Sequence, residues 1–317
     1  MNIVLAEPLT LSEEYLERQK QFFVEAGHEF TVYDTKPASA EEWCGRIRDA
    51  DVVMMANTRL PEEVLRQAPR LKYLNIAFTG TDHVPVQKAK ERGIVVSNAA
   101  GYSDQAVAEL TVGMAIALLR RLSAADQGVR AGQGSSAFLG GELAGRTVGI
   151  IGTGQIGQRV AELFRAFGVR LIGYSRSERA SCRALGLSYM SLEEVLAEAD
   201  IVTLHLPLNE NTRHLIGAAQ LERMKPTACL INCARGPIVD QKALCEALKQ
   251  GRLAAVGIDV FDQEPPLPEG EALFGAENAL LTPHIGYFTR EAMLRRGEIV
   301  FQNTRDFLAG RMPGTCL

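Results

Sequence analysis

The chain has no excess of positive charge: 34 Lys and Arg stand against 38 Asp and Glu, a net charge of −4. Nucleic-acid binding rests on clustered surplus cations, so no nucleic-acid partner is expected. Nor is there an apolar run long enough for a membrane. The longest, Leu110 to Leu119, is bounded by Glu109 and Arg120 and falls short of the about 20 residues that cross a bilayer. The start, Met1-Asn2-Ile3-Val4-Leu5, lacks a basic segment and a small-residue cleavage site. It reads as a first strand, and the protein is expected to be cytoplasmic, with no membrane partner. Cysteine is sparse too. The six, at 44, 182, 229, 233, 245 and 316, include no C-x-x-C pair, and the five histidines are not spaced to join them around zinc. No metal site is expected, and the thiols read as small, reduced core residues.

What is present is an ordinary globular mixture, 46% hydrophobic and 23% charged, which excludes disordered, collagenous and coiled-coil chains. A length of 317 residues corresponds to about two domains. The first hundred residues alternate short strands (Asn2-Ala6, Phe30-Tyr33, Val52-Met55, Leu71-Ala77, Ile94-Val96) with helical patterns, one starting at Pro61. That alternation describes a parallel sheet covered on both faces. A long helix follows, capped by Ser103, with Val107, Leu110, Met114, Ala117 and Leu118 on one face. That face reads either as a homodimer contact or as intramolecular core. Ala124 to Gly145 holds six glycines and reads as a long loop. A second alternating block starts at Thr147, with strands at Thr147-Ile151, Arg170-Tyr174, Ile201-Leu204, Cys229-Asn232, Ala255-Asp259 and Ala279-Leu281. The tail, Thr289-Leu308, is helical and must pack somewhere, the first block being one place for it.

The strongest local signal is Gly152-Thr153-Gly154-Gln155-Ile156-Gly157, directly after an apolar strand and opening a helix written Gln158-Phe167. The first glycine permits a tight turn, the second brings a pyrophosphate to the backbone, and the third lets helix and strand touch. Free N–H groups at the helix start favour phosphate. Dinucleotide binding is the expectation. An NAD site carries Asp or Glu about 20 residues further on, to bind the ribose 2′-hydroxyl. Here that place holds Ser175-Arg176-Ser177, with the first carboxylate at Glu178. This run favours NADP over NAD, the alternative being a solvated loop. Three polar residues close apolar runs: Arg235, Glu264 and His284. Singly they read equally as a surface charge, a turn residue and a core histidine. Together, beyond strand ends and beside a dinucleotide site, they can hold an anion and move a proton.

Asn232-Cys233-Ala234-Arg235-Gly236, Asp259-Val260-Phe261-x-x-Glu264-Pro265 and Thr282-Pro283-His284-Ile285-Gly286 resemble the signatures of the D-isomer-specific 2-hydroxyacid dehydrogenase family, which includes glyoxylate/hydroxypyruvate reductases. The resemblance runs from Gly80-Thr81-Asp82 to His284. It implies an α/β fold of two Rossmann- or flavodoxin-like parallel-sheet domains. A discontinuous substrate domain, residues 1–98 and 288–317, would hold an inserted cofactor domain, residues 99–287. It implies an NAD(P)-dependent enzyme giving D-2-hydroxy acids, and a homodimer. By the same resemblance Arg235 clamps the 2-oxo acid carboxylate and polarises its carbonyl. His284 protonates the alkoxide, and Glu264 holds the imidazole and favours its charged form. Asp259 contacts the nicotinamide region, Cys233, His205 and Pro207 border the cofactor, and the backbone of Phe78-Thr79-Gly80 meets the substrate carboxylate. A guanidinium fork suits a carboxylate, and a carboxylate-held histidine suits proton transfer near neutrality.

Two departures bear on the substrate. Phosphoglycerate-type members resemble one another in an Arg-containing segment where this chain reads Ile76-Ala77-Phe78-Thr79, with Phe78 in a place that is commonly Gly. An aromatic rim without that Arg is read as disfavouring a phosphorylated substrate. The segment Gly128-Gly145 also lacks the Trp often found there. Two other readings share the motifs: a dinucleotide-sensing protein like the family's corepressor relatives, and a dehydrogenase of another small anion.

Overall fold

In a computed structural model that describes every residue except Pro265 and Glu277, the chain divides into two units. The first comprises Met1–Ser103 with Thr289–Leu317, the second Asp104–Phe288.

The first unit alternates β1 (Asn2–Leu5), α1 (Glu13–Glu25), β2 (Glu29–Val32), α2 (Ala40–Ile47), β3 (Val52–Met55), α3 (Glu62–Arg66), β4 (Tyr73–Ile76), α4 (Val86–Glu91) and β5 (Val95–Ser97). The sheet order is β2-β1-β3-β4-β5, all parallel, which is flavodoxin-like. Every residue of β3 and β4 is buried, so β3 reads as an unbroken apolar run and β4 as one interrupted by Asn75, rather than as alternating strands. Serine side chains cap α1 and α2, while Pro61 precedes α3 and stands outside it. The tail helix, Arg290–Leu308, belongs to this unit. Its Phe301 packs among Tyr15, Phe23 and Phe30, and Phe307 stacks on Tyr73 at 4.5 Å. Cys316 then bridges antiparallel to Ser97 beside β5.

The second unit opens with α5 (Asp104–Leu119) and α6 (Leu122–Arg130). Then follow β6 (Thr147–Ile151), α7 (Gln155–Arg165), β7 (Arg170–Tyr174), α8 (Ala180–Ala184), β8 (Ser188–Tyr189), α9 (Leu192–Glu198), β9 (Ile201–Leu204), α10 (Ala218–Arg223), β10 (Cys229–Asn232), α11 (Gln241–Lys249), β11 (Ala255–Ile258) and β12 (Ala279–Leu281). Its seven strands are parallel in the order β12-β11-β10-β9-β6-β7-β8, the doubly wound arrangement with its switch point between β6 and β9.

Two expectations change and one alternative is narrowed. Ala124–Gly145 is not all loop: α6 extends to Arg130, supported by the Arg130–Asp126 pair one turn apart at 2.9 Å, and a 3₁₀ turn covers Ser135–Ala137. Val107 and Met114 of α5 are buried in their own unit's core, with Leu110 and Leu118 packed against it, so most of that face is intramolecular. Of the cysteines, Cys316 is exposed and the other five are buried. Among the described residues no helix is long and apolar enough to cross a membrane, and no cluster of His, Cys, Asp or Glu could hold a metal ion.

Candidate active site

The glycine-rich turn joins β6 to α7. Gly152 sits at φ +95°, in the left-handed region, and a Cβ there would overlap the His205 carbonyl. A Cβ on Gly157 would overlap the Gly152 carbonyl, so the turn and the helix touch only because both residues lack side chains. Gly154 faces open space and precedes α7 without a side-chain cap. The helix therefore starts at Gln155, earlier than written in the sequence pattern, and presents the N–H groups of Gln155, Ile156 and Gly157.

A cavity of about 270 Å³ gathers this turn with Ser175, Arg176, Ser177, His205 and Pro207. Glu178, the first carboxylate after the serine–arginine run, is held by Arg183, whose Nε donates to it at 2.9 Å. Tyr189 was not singled out in the sequence. Its hydroxyl accepts from the Arg179 N–H at 2.9 Å and donates to Thr153 Oγ1 at 2.8 Å, so it ties the loop after β7 to the glycine turn. It lies on a two-residue strand, too short to register as a pattern. His205 is only partly exposed, and burial pushes its imidazole pKa down to about 3. Nε2 meets Thr203 Oγ1 at 2.9 Å, while Nδ1 is buried without a partner among the described residues. Room above Gly154, free helix N–H groups and this orphaned ring nitrogen together fit a dinucleotide.

His284 follows β12, and its Nδ1 lies 3.0 Å from Glu264 Oε2. The imidazole is 22% exposed, enough to meet a ligand. His284 holds φ +54°, an uncommon place for a residue with a side chain. Asp259 keeps it there. Its carbonyl accepts the His284 N–H at 2.8 Å, and its carboxylate accepts from Ile285 N–H and Gly286 N–H at 2.8 Å and Thr282 Oγ1 at 2.5 Å. Asp259 is fully buried, and that burial pushes its carboxyl pKa up against the pull of these bonds. Its carboxylate thus bonds the His284 loop, a positioning duty that the motif did not announce. Pro265, the last residue of that motif, lies outside the described residues.

Arg235 follows β10 on extended backbone, its Nη1 donating to the Ala234 carbonyl at 2.8 Å. Asn232 brackets it, donating to the Arg235 carbonyl and accepting from the Ala234 N–H. The Cys233 thiol turns inward to Met114, Sγ to Sδ 3.7 Å, and burial pushes its pKa up to about 12. Only its backbone remains for a cofactor.

In the first unit, Phe78, Thr79 and Gly80 follow β4. The Phe78 ring is buried, packing edge-on to Tyr102 with the Arg296 guanidinium 5.6 Å from its centroid. It is therefore no aromatic rim: at this strand end, burial against a cation and a second ring outweighs exposure. The expectation against phosphorylated substrates loses that support.

A doubly wound sheet with this turn at its switch point defines the dinucleotide-binding class of α/β proteins. Residues 112–286 match the model of the NAD binding domain of D-isomer specific 2-hydroxyacid dehydrogenases. The glyoxylate reductase of Aeropyrum pernix is 40% identical over 297 residues, covering 90% of this chain and 88% of that protein. The structure of an acyclic imino acid reductase in complex with NADPH and D-Arg is similar over the whole of both chains, with TM-score 0.90 and 30% identity. The D-lactate dehydrogenase of Aquifex aeolicus, complexed with NAD and lactic acid, is similar over 98% of this chain and 96% of its own, with TM-score 0.85 and 29% identity. The chain belongs to the D-isomer specific 2-hydroxyacid dehydrogenase family, and its cofactor is a nicotinamide dinucleotide.

Proposed function

We propose that this protein reduces small 2-oxo acids of the glyoxylate or hydroxypyruvate type to D-2-hydroxy acids. The observation that carries the reading is the Glu264–His284 pair at 3.0 Å within a dinucleotide-binding unit. A dinucleotide held by the glycine turn and Ser175-Arg176-Ser177 would supply the hydride for the carbonyl carbon. His284 donates the proton that the carbonyl oxygen takes up, which leaves a hydroxyl and a histidine ready to be reprotonated. Glu264, on Nδ1, fixes the ring so that Nε2 delivers it. Arg235 offers its fork to the carboxylate and stabilises charge developing on the oxygen. The backbone after Phe78, at Thr79 and Gly80, receives the substrate carboxylate.

NADPH is the preferred cofactor in this reading. Ser175, Arg176 and Ser177 offer donors and a cation at the cavity, and Glu178 is occupied by Arg183. The active form is proposed as a homodimer in the cytoplasm. Support for pairing comes from Leu122, Val129 and Leu139, exposed at 51%, 71% and 90%, and from a groove of about 600 Å³ that α5 and Leu139 line within the second unit.

A panel of 2-oxo acids assayed with NADH and NADPH tests the proposal. Cofactor consumption with glyoxylate or hydroxypyruvate, and a D-configured product from the latter, are expected. Binding of NADPH with no turnover of any 2-oxo acid would instead mark a dinucleotide sensor.

A further inference from the structure

We infer that Asn98 is the residue that aims the carboxylate-binding backbone of the first unit. The inference rests on the reading that the loop at Thr79 and Gly80 receives the substrate carboxylate.

Asn98 stands directly after β5, buried at 7% exposure. Its Nδ2 donates to the Thr79 carbonyl at 2.8 Å, and its Oδ1 accepts the Ala100 N–H at 3.2 Å. One side of the amide faces an acceptor and the other a donor, so its orientation is fixed. The backbone is anchored as well. The Asn98 N–H donates to the Thr315 carbonyl at 3.1 Å, and its carbonyl accepts from Asn303 Nδ2 at 3.1 Å and from Thr315 Oγ1. Its neighbour Ala99 donates an N–H to the Phe78 carbonyl at 3.0 Å.

Two consecutive carbonyls, Phe78 and Thr79, are thus both drawn toward the Asn98–Ala99 segment. In a planar trans peptide the N–H points opposite to its carbonyl. The N–H groups of Thr79 and Gly80 must then both face away from that segment, side by side. An extended strand would alternate them, so the same-side pair has to be held. Successive N–H groups pointing one way form a concavity for an anion. Neither N–H makes a hydrogen bond among the described residues, and the Thr79 hydroxyl is buried without a partner. The Asn98 amide is what turns the second carbonyl, and with it the Gly80 N–H.

Asn98→Asp keeps the acceptor for Ala100 and sets an oxygen against the Thr79 carbonyl. Asn98→Ala removes the grip without adding charge. In both, KM for glyoxylate should rise about tenfold or more, in keeping with loss of an anchored hydrogen bond to an anion site. The kcat at saturation should stay within about threefold, and NADPH affinity by fluorescence titration should be unchanged. Thr315→Val cuts the tail's tie to the same asparagine and should leave KM where it is. A wild-type KM in both Asn98 variants would overturn the inference, as would a fall in kcat and thermal stability with no selective rise in KM. A crystal structure with NADPH and oxalate separates the two layers. A carboxylate bound away from the Thr79 and Gly80 N–H groups ends the loop reading. A carboxylate on them, with KM unmoved in Asn98→Asp, ends the positioning inference alone.

Discussion

Asp259 grips the loop of His284 from both sides, its carbonyl on the His284 N–H at 2.8 Å and its carboxylate on the next two N–H groups. The proposed proton donor is thus held at a positive φ by a buried residue bonded to its own N–H and to the two that follow. Asp259→Asn should lower kcat about tenfold to a hundredfold, because an amide NH₂ would face an N–H donor and release the loop, at about 1–3 kcal/mol for the unpaired group. NADPH affinity should hold within a few-fold. Steady-state kinetics with a fluorescence titration check both, and an unaltered kcat would remove the positioning role.

His284→Ala should cut turnover by about two to four orders of magnitude, the usual worth of a general acid–base. Glu264→Gln should cost less, since the amide still reaches Nδ1. Equal kcat in His284→Ala and wild type would end the proton-transfer assignment.

The ratio of kcat/KM for NADPH over NADH is expected above one. A 2′-phosphate bonded to Arg176 and the two serines gains about 1–3 kcal/mol, the range for hydrogen bonds to charged groups. Ser175→Asp/Arg176→Ala should therefore shift the ratio toward NADH by about tenfold or more. A wild-type ratio below one, or a double mutant that does not move it, contradicts the preference.

His205 gives stability a pH dependence of known sign. Its folded pKa, about 3, lies below the 6.5 of a free imidazole, so the unfolded chain takes up a proton first as pH falls. The contribution is whole above pH 6.5 and is lost progressively down toward pH 3, by about 1.4 kcal/mol per pH unit. Urea midpoints between pH 7 and about pH 5 should fall less steeply in His205→Gln. Equal slopes in the two proteins would mean that the ring charges in the fold.

Sedimentation at micromolar concentration should show a dimer. Leu139→Asp, which places a charge on the most exposed large apolar side chain, should shift it toward monomer without lowering thermal stability. A wild-type monomer would remove the proposed assembly.

Much of this was legible in the sequence where burial writes continuous apolar runs. Val52–Met55, Thr147–Ile151 and Cys229–Asn232 stand as strands at the residues where their hydrophobic runs lie. The glycine turn was legible because its geometry tolerates no side chain at Gly152 or Gly157. Other features rest on partners distant in the chain. Phe78 turns inward beside Arg296 of the tail helix, distant in the chain, and no local pattern at β4 records it. The work of Asp259 is done on backbone N–H groups, which carry no sequence signature. The glycines of Ala124–Gly145 masked α6, although only Gly128 falls within the helix and the others follow Arg130.

The return of the tail helix to the first sheet sets an order of synthesis. Asn75, in the middle of β4 and fully buried, donates to the Val300 carbonyl at 2.7 Å and to Thr304 Oγ1 at 3.0 Å. Asn303 likewise supplies the donor that the Asn98 carbonyl accepts. On the ribosome the first hundred residues emerge early, and the groups that Val300, Asn303 and Thr304 later bond face water until residues near 300 appear. Asp104–Phe288 is contiguous, so all of it is translated before the tail. The segment made first is therefore completed last, and a nascent chain stalled before the tail holds an open sheet, the kind of surface that chaperones cover.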